Sequence, residues 1–250
     1  MTRPALAAAP DPATPPPPVV RALAGAASLE AVWRNGYGGL TLRATDADGI
    51  RYIKWGPRNA ESTMAGEAER LRWAGAFTLV PHVRAEGGDD THEWLVTDAL
   101  PGRSAVDPRW AAEPATAVAA IGAGLRALHD ALPVERCPFD WGVPHRLRTA
   151  AGRGIDVPAQ LRAAPPVDRL VVCHGDACAP NTLVGDDGAW TAHVDLGALG
   201  VADRWADIAV AVLSVGWNFG PGWDGALLDA YGIAPDPARQ AYYGALWNAT

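Results

Sequence analysis

The sequence predicts an α+β protein of two lobes: a small, mostly antiparallel β N-terminal lobe with one helix, and a larger, mainly helical C-terminal lobe. Three observations predict this division. Strand patterns and hairpin turns fill residues 19–98, Pro101-Gly102 marks a turn, and Ala/Leu-rich helical segments follow. A chain of 250 residues is long enough to build two such lobes.

The first 18 residues are rich in alanine and proline and end in four consecutive prolines. Such a composition favours an extended, polyproline-like chain over a packed element. We therefore predict a tail at residues 1–18, an N-terminal lobe at 19–98 and a C-terminal lobe at 99–250.

The N-terminal lobe opens with a glycine-rich stretch, residues 35–39, which leads into an apolar strand at 40–43. Residues 46–49, Asp-Ala-Asp-Gly, are a strong turn signal, and they return the chain into a second strand at 50–55. The pattern predicts a hairpin that follows a glycine-rich loop.

Three helices and a strand are predicted from the spacing of apolar residues. Residues 61–73 have few helix breakers and can place their apolar residues on one face, whereas 93–97 is typical of a strand. In the C-terminal lobe, residues 115–132 predict a helix that Pro133 stops, and residues 203–215 predict another.

Between these two C-terminal helices the pattern returns to strands. Residues 170–173 predict a short strand, and a hairpin pairs residues 182–184 with 190–195 across the turn at 185–188. This hairpin matters because polar residues stand on both sides of it.

Composition excludes several classes of protein. A net charge of −7 lacks the basic excess of a nucleic-acid binder. No apolar run approaches the roughly 20 residues that span a bilayer, and prolines interrupt any signal-peptide core near the start. The three cysteines are few, and their number is odd, which argues against a disulfide scaffold. We expect a cytoplasmic protein, taken as a monomer, without nucleic-acid or membrane partners.

The pattern H-x-D-x-x-x-x-N runs from His174 through Asp176 to Asn181, and Asp195-Leu196-Gly197 follows after the hairpin. This is the spacing of a kinase catalytic loop and its metal-binding strand end. Phosphoryl transfer needs a carboxylate to orient the attacking hydroxyl, and oxygen ligands to hold magnesium on the phosphates. Asp176 suits the first task, and Asn181 and Asp195 suit the second.

An alternative is that these residues belong to ordinary polar loops, since Asp, Asn, Gly and Pro are common there. Their order and spacing together favour the kinase interpretation. A zinc site at Cys173, His174 and Cys178 is disfavoured, because their spacing matches no standard zinc pattern.

Two upstream residues complete the machinery that a kinase needs. Lys54 is the only lysine among 21 basic residues, and it lies on a strand after the glycine-rich stretch. A kinase places there the lysine that binds phosphates, with a glutamate such as Glu67 on the next helix as its partner. Gly36 and Gly38 can bring backbone N–H groups close to phosphates, although their spacing is not G-x-G-x-x-G.

Several segments together resemble a known family. They are 67–73, Leu128-His129, Cys137-Pro138-Phe139, Cys173 to Asn181, Asp195-Leu196-Gly197, Gly200, Ala202-Asp203-Arg204 and Asp207-Ile208-Ala209. They resemble the aminoglycoside O-phosphotransferase family, especially the branch that acts on 3-prime or 3-double-prime hydroxyls. The resemblance extends from about Gly36 to the C-terminus, and the string from His174 to Asp207 is its specific part.

The resemblance implies a two-lobed protein-kinase-like fold that uses ATP and Mg²⁺ to phosphorylate a hydroxyl of a small molecule. It implies that the linker backbone near Thr97 and Ala99 holds the nucleotide base. It also implies the following roles: Asp176 as catalytic base, Asn181 and Asp195 as magnesium ligands, Lys54 and Glu67 on the phosphates, and Asp203 and Asp207 as braces of the catalytic loop.

Three departures from the family bear on the acceptor. Ala198 stands where this branch often has arginine, and residues 245–250 carry no acidic side chain. The segment 141–169 is short and rich in arginine. An aminoglycoside is a polycation and suits a pocket of carboxylates, so a neutral or anionic hydroxylated metabolite or antibiotic is an alternative acceptor. A non-catalytic nucleotide-binding module is a further alternative, although such a module has no need of Asp176.

Overall fold

A computed structural model of the chain describes residues 7–8, 15–36, 38–58 and 63–250. The chain divides into two compact units. The first comprises Met1–Gly75 with Pro81–Leu100, and the second comprises Ala76–Val80 with Pro101–Thr250. The boundary predicted between residues 98 and 99 stays a prediction. Most of the predicted tail, 1–18, lies outside the described residues.

The first unit contains a six-stranded antiparallel sheet in the order β1-β2-β3-β4-β6-β5. Two described helices accompany it. The elements are β1 (Ala7–Ala8), α1 (Pro18–Ala24), β2 (Ser28–Asn35), β3 (Leu40–Asp46), β4 (Gly49–Pro57), α2 (Met64–Ala74), β5 (Val83–Gly88) and β6 (His92–Asp98).

The predicted hairpin is β3 and β4, joined by a tight turn. The Asp46 carboxylate accepts the backbone N–H of Asp48 at 2.9 Å, and Gly49 follows with φ of 119°. Only glycine adopts that φ without steric cost. The turn fixes the register that pairs Thr41 with Lys54, and the register decides which face of β4 the lysine occupies.

Helix α1 was missed by the sequence reading, which expected one helix in this lobe and a tail up to Pro18. The helix begins at Pro18, because proline is well tolerated in the first turn of a helix. Its Val20 is buried against Leu42 and Ile53 of the sheet. The proline-rich composition therefore concealed a helix start.

Helix α2 corresponds to the helix predicted at 61–73. Residues 61–62 lie outside the described part of the chain, and the described helix begins after Thr63, whose side chain accepts the backbone N–H of Gly66 at 2.9 Å. This is a helix N-cap, which satisfies one of the free N–H groups of the first turn.

The second unit contains six helices and two small sheets within the described residues. The sheets have the orders β10-β9-β7 and β11-β8. The elements are β7 (Arg103–Ser104), α3 (Pro108–Ala111), α4 (Pro114–Ala131), α5 (Val143–Gly152), β8 (Leu170–Cys173), β9 (Thr182–Val184), β10 (Trp190–His193), β11 (Gly200–Asp203), α6 (Trp205–Phe219), α7 (Asp224–Tyr231) and α8 (Pro237–Ala249).

Helices α4 and α6 supply much of the core of this unit, with residues such as Leu125 and Ile208 fully buried. The helix predicted at 203–215 begins later, at Trp205, because residues up to Asp203 form β11. That strand pairs with β8, which lies about 30 residues earlier in the sequence. A local sequence pattern therefore could not predict it. Among the described residues, no helix is both long and apolar enough to cross a bilayer.

Gly122 allows α4 and α7 to approach closely. A Cβ at this position would lie 2.6 Å from the backbone oxygen of Leu227 and 3.1 Å from the backbone nitrogen of Tyr231. We expect Gly122→Ala to lower the free energy of unfolding by about 1–3 kcal/mol, as overpacking does. Urea unfolding measures this.

Gly152, in α5, is the matched control, because a Cβ there meets no atom within 4 Å. Gly152→Ala should leave stability unchanged or raise it by less than about 1 kcal/mol, the helix-propensity gain of alanine. Equal effects of the two substitutions would contradict the packing argument.

Candidate active site

The loop from His174 to Asn181 follows β8. Hydrogen bonds of His174 and Asn181 to Val194 hold this loop against the end of β10. His174 Nε2 lies 3.0 Å from the carbonyl oxygen of Val194 and donates to it. Its Nδ1 accepts the backbone N–H of Asp176 at 3.3 Å. Val194 N also donates to Asn181 O at 3.0 Å. The structure thus brings Asp176, Asn181 and Asp195 together in the second unit.

Asp176 and Asn181 form a hydrogen-bonded pair. The Asn181 amide donates to the backbone oxygen of Asp176 at 2.9 Å and to its Oδ2 at 3.1 Å. The other carboxylate oxygen, Oδ1, is buried and has no hydrogen-bond partner among the described residues. Burial, followed by the negative charge of Asp195, raises the pKa of Asp176. The carboxylate is oriented and has an oxygen left to accept a proton.

Asp195 is the only non-glycine residue with positive φ in the described part of the chain, at 66°. A residue with a Cβ in this conformation is strained, and such strain is concentrated at functional sites. The Asp195 side chain is exposed, whereas the following Leu196 is fully buried. The buried leucine anchors the segment beside Asp195.

Gly175 is a residue that the sequence analysis did not single out. Its φ is 86°, and a Cβ there would lie 2.1 Å from the carbonyl oxygen of Ala198. No side chain fits, so the loop 174–181 and the segment after Asp195 can approach only because this residue is glycine. The sequence signal that could have indicated its role is its position between His174 and Asp176 in the H-x-D pattern.

Asp207 stabilises the loop 174–181 through hydrogen bonds to its backbone. Its carboxylate is fully buried and accepts the backbone N–H groups of His174 at 2.6 Å and Gly175 at 2.9 Å. It also accepts from His129 Nε2 at 2.9 Å, and His129 Nδ1 contacts the Tyr231 hydroxyl at 2.8 Å. Burial raises the pKa of Asp207, but the hydrogen bonds and charge of its partners outweigh burial and hold it below its usual 3.8.

Asp203 supports the neighbouring backbone in a similar way. Its two oxygens accept the N–H groups of Asp168 at 2.7 Å and Trp205 at 3.0 Å. The bracing role expected of Asp207 is therefore consistent with its contacts to the loop 174–181, whereas these hydrogen bonds of Asp203 go to residues outside that loop.

Ser214 is a second residue that the sequence did not indicate. Its hydroxyl, on α6, accepts the backbone N–H of Ala179 in the loop 174–181 at 2.9 Å. The Cys178 thiol lies between Asp176 and Ser214, and burial followed by the charge of Asp176 raises its pKa well above the usual value. Cys178 is thus a neutral, protonated neighbour of the carboxylate.

His129, Cys173 and Asp207 form a buried cluster with ligand atoms close enough for a metal ion. Both nitrogens of His129 already have partners. The Cys173 thiol lies 3.5 Å from the backbone oxygen of Asp203, and burial raises its pKa far above the usual value. These hydrogen bonds indicate a structural role for the cluster.

The remaining predicted site residues lie in the first unit. Lys54 Nζ donates to Glu67 at 2.7 and 2.8 Å, and the Glu67 side chain is only 6% exposed. This is the predicted ion pair between β4 and α2. A buried carboxylate that accepts two bonds fixes the ammonium in position.

Gly36 and Gly38 occupy the connection between β2 and β3. Gly38 has φ of 85°, and its N–H donates to Asn35 O at 3.2 Å. Thr97 is buried in β6, and the N–H of Ala99 donates to Ile50 O at 3.1 Å. Ala99 therefore already uses its N–H group within the unit.

A profile described as the phosphotransferase enzyme family matches residues 19–243 of the chain. The chain belongs to this family. The family predicted from the sequence is thereby confirmed, as is the predicted enzyme class, a phosphotransferase with an alcohol group as acceptor.

Similar proteins support the same assignment. An aminoglycoside 3'-phosphotransferase from Streptomyces fradiae is 38% identical over 224 residues, which cover 77% of this chain and 82% of that protein. A solved aminoglycoside-3'-phosphotransferase of type VIII is 33% identical, with a TM-score of 0.73 over 91% of this chain and 96% of its own.

A third similar protein was solved with two bound molecules. It is an aminoglycoside phosphotransferase from Streptomyces rimosus in complex with ADP and streptomycin, 27% identical to this chain. The TM-score is 0.68, and the match covers 91% of this chain and 94% of that one. These structures confirm the α+β kinase-like fold class predicted from the sequence.

We expect Asp207→Asn to destabilise the phosphotransferase by about 3 kcal/mol near neutral pH, as loss of one partner in a buried charged network does. A depressed carboxyl pKa contributes stability above the unfolded pKa, about 3.8, and that contribution is lost as the pH falls. The difference between wild type and variant should therefore narrow below about pH 4. Chemical unfolding across a pH series measures it.

Asp229→Asn is the matched control, because Asp229 lies exposed on α7. It should change stability by less than about 0.5 kcal/mol at any pH in the series. A destabilisation by Asp207→Asn that stayed constant with pH would show that the ionised carboxylate is not the stabilising group.

Proposed function

We propose that this phosphotransferase transfers the γ-phosphate of ATP, with Mg²⁺, to a hydroxyl of a small molecule. The observation that carries the proposal is the arrangement of Asp176: Asn181 holds one carboxylate oxygen, and the other is buried without a partner among the described residues. A polar group in this state is costly unless a ligand bonds to it. An acceptor hydroxyl would supply that bond.

Asp176 is assigned as the catalytic base. Burial, followed by the charge of Asp195, raises its pKa, and this makes it a stronger base than an exposed aspartate. It would orient the acceptor hydroxyl and take its proton as the oxygen attacks phosphorus. Cys178, neutral beside it, adds no competing charge.

Asn181 and Asp195 are assigned as the magnesium ligands. Amide and carboxylate oxygens are the ligands that this hard cation prefers. The Asn181 amino group is turned toward Asp176, so its amide oxygen points away from that carboxylate. Bound Mg²⁺ neutralises charge on the phosphates, and the strained backbone of Asp195 supports a role in holding it.

Lys54 is assigned to the α- and β-phosphates, with Glu67 as the group that positions it. Gly36 and Gly38 would allow the β2–β3 backbone to approach phosphates. Thr97 and Ala99 are assigned to the nucleotide base. Since the Ala99 N–H is engaged with Ile50, Ala99 would contribute its carbonyl group. These are the nucleotide-binding roles that the sequence analysis expected of the same residues.

The acceptor that we propose first is an aminoglycoside, on the strength of the relatives. The arginine-rich segment opposes this choice less than its composition suggests. Three of its arginines pair with aspartates, at 3.8 Å, 3.3 Å and 3.5 Å respectively: Arg148 with Asp140, Arg162 with Asp156 and Arg169 with Asp130.

A neutral or anionic hydroxylated compound is the second candidate acceptor. Helix α8 carries no acidic residue from 237 to 249, and its Trp247 packs against Trp217 of α6 with ring centroids 5.7 Å apart. Aromatic rings bind the apolar faces of a ligand, whereas a polycation needs carboxylates.

The proposal also retains the predicted cytoplasmic location and monomeric state.

An ADP-release assay with ATP and Mg²⁺, across aminoglycosides and amine-free hydroxyl compounds, tests the function and the acceptor. We expect at least one compound to stimulate ADP release, and Asp176→Asn to lower kcat by about 10²–10⁴, the usual contribution of a general base. Asparagine keeps the shape and cannot take the proton.

The melting temperature of Asp176→Asn is the control, because removing a buried charge should not lower it. Equal activity of wild type and variant would contradict the catalytic assignment. If ATP raised the melting temperature but no compound stimulated ADP release, a nucleotide-binding module without catalysis would be favoured.

For the nucleotide site we expect Lys54→Met to weaken MgATP binding by about 10–100-fold, the value of a charge-assisted hydrogen bond. Glu67→Gln should weaken it less, because the ammonium stays but is held less firmly. Calorimetric titration measures both. Arg21→Met, which changes a cation outside the proposed site, should bind as wild type; unchanged binding by Lys54→Met would remove lysine from the site.

A further inference from the structure

A cavity of about 560 Å³ lies in the second unit, between α5, β11 and α8. It is lined mainly by apolar groups, and none of Asp176, Asn181 and Asp195 lines it. Its volume falls within the range of small-molecule sites, about 300–1,000 Å³. The function proposed above assigns it no role.

Arg146 of α5 lines this cavity and is 96% buried, with 4% of its surface exposed. Its Nη2 donates to the Thr250 hydroxyl at 2.7 Å, but Nε and Nη1 have no hydrogen-bond partner among the described residues. No described carboxylate forms an ion pair with it. Burial lowers its pKa to about 10, so the guanidinium remains charged at neutral pH.

Trp141, in the loop before α5, supplies a second unsatisfied donor to the same cavity. Its ring packs under the Arg146 guanidinium, 4.9 Å from the centroid, and its indole Nε1 is buried without a partner among the described residues. Buried donors are normally bonded. Arginine and tryptophan side chains can only donate, so what is missing from this wall is an acceptor.

The rim of the cavity is apolar. Val167 and Leu170 line it and are 57% and 49% exposed, two of the four large hydrophobic side chains that are exposed among the described residues. Exposed apolar side chains that cluster at a concave site indicate contact with an apolar partner. The cavity therefore combines an apolar mouth with the buried donors of Arg146 and Trp141. The carboxylates of Asp140 and Asp203 also line it, and both already accept hydrogen bonds within the chain.

We propose that this cavity is a binding site for a small monocarboxylate with an apolar body. The carboxylate would accept hydrogen bonds from Arg146 and Trp141, and the apolar body would cover Val167 and Leu170. A single guanidinium matches one negative charge, which favours a carboxylate over a phosphate dianion. Tyr243, also buried at the cavity, keeps a neutral hydroxyl because burial raises its pKa.

Fluorine NMR titration with para-fluorobenzoate tests the proposal, and para-fluorobenzamide is the neutral probe of the same shape. The titration uses the full chain without nucleotide or acceptor, so its result does not depend on phosphoryl transfer. We expect saturable binding of the benzoate, with the benzamide weaker by about tenfold or more, as loss of a charge-assisted hydrogen bond predicts.

Two variants locate the binding. Arg146→Met should weaken benzoate binding about tenfold or more, whereas Arg148→Met, two residues along α5 and exposed, should not change it. Trp141→Phe keeps an aromatic ring, removes only the indole N–H and should weaken binding a few-fold. It serves as the test if Arg146→Met fails to fold.

The proposal is overturned if the benzoate does not bind, or if the benzamide binds equally well. It is also overturned if binding survives unchanged in Arg146→Met. If Arg146→Met does not fold, unchanged binding by Trp141→Phe overturns it.

Discussion

The buried carboxylate of Asp207 joins three separate parts of the second unit. It accepts the N–H groups of His174 and Gly175 at the start of the loop 174–181, and the ring N–H of His129 at the end of α4. An ionised carboxylate is stable in the interior only when its oxygens are bonded. The first turn of α6, the end of α4 and the loop must therefore keep their relative positions, and the setting of Asp176 depends on all three.

Two further contacts of the loop that Asp207 holds bring Asp176 and Asp195 close together. Gly175 lets the loop lie against Ala198, and His174 joins the loop to Val194. Asp195 then turns into a left-handed conformation that few residues adopt. The surrounding contacts outweigh the strain, because Leu196 is held in the core. A rigid scaffold that imposes a strained residue at a site is consistent with pre-organised charge.

The sequence predicted the hairpins β3–β4 and β9–β10 because turn residues and strand alternation are local signals. It missed α1, whose start is hidden by prolines, and β11, which exists only by pairing with β8. The ion pair of Lys54 and Glu67 could be predicted because hairpin and helix follow each other in the chain. Elements whose stability comes from distant partners could not be predicted in this way.

By itself, the sequence determined the family and the spacing of Asp176, Asn181 and Asp195, because these residues lie close together in the chain with a single hairpin between them. The tertiary structure decided what surrounds them. The hydrogen bond of Ser214 to the loop 174–181 arises from packing between distant segments, as does the burial of Arg146 Nε and Nη1 without partners among the described residues. A side chain's exposure, partners and pKa depend on such packing, and a local pattern carries no information about them.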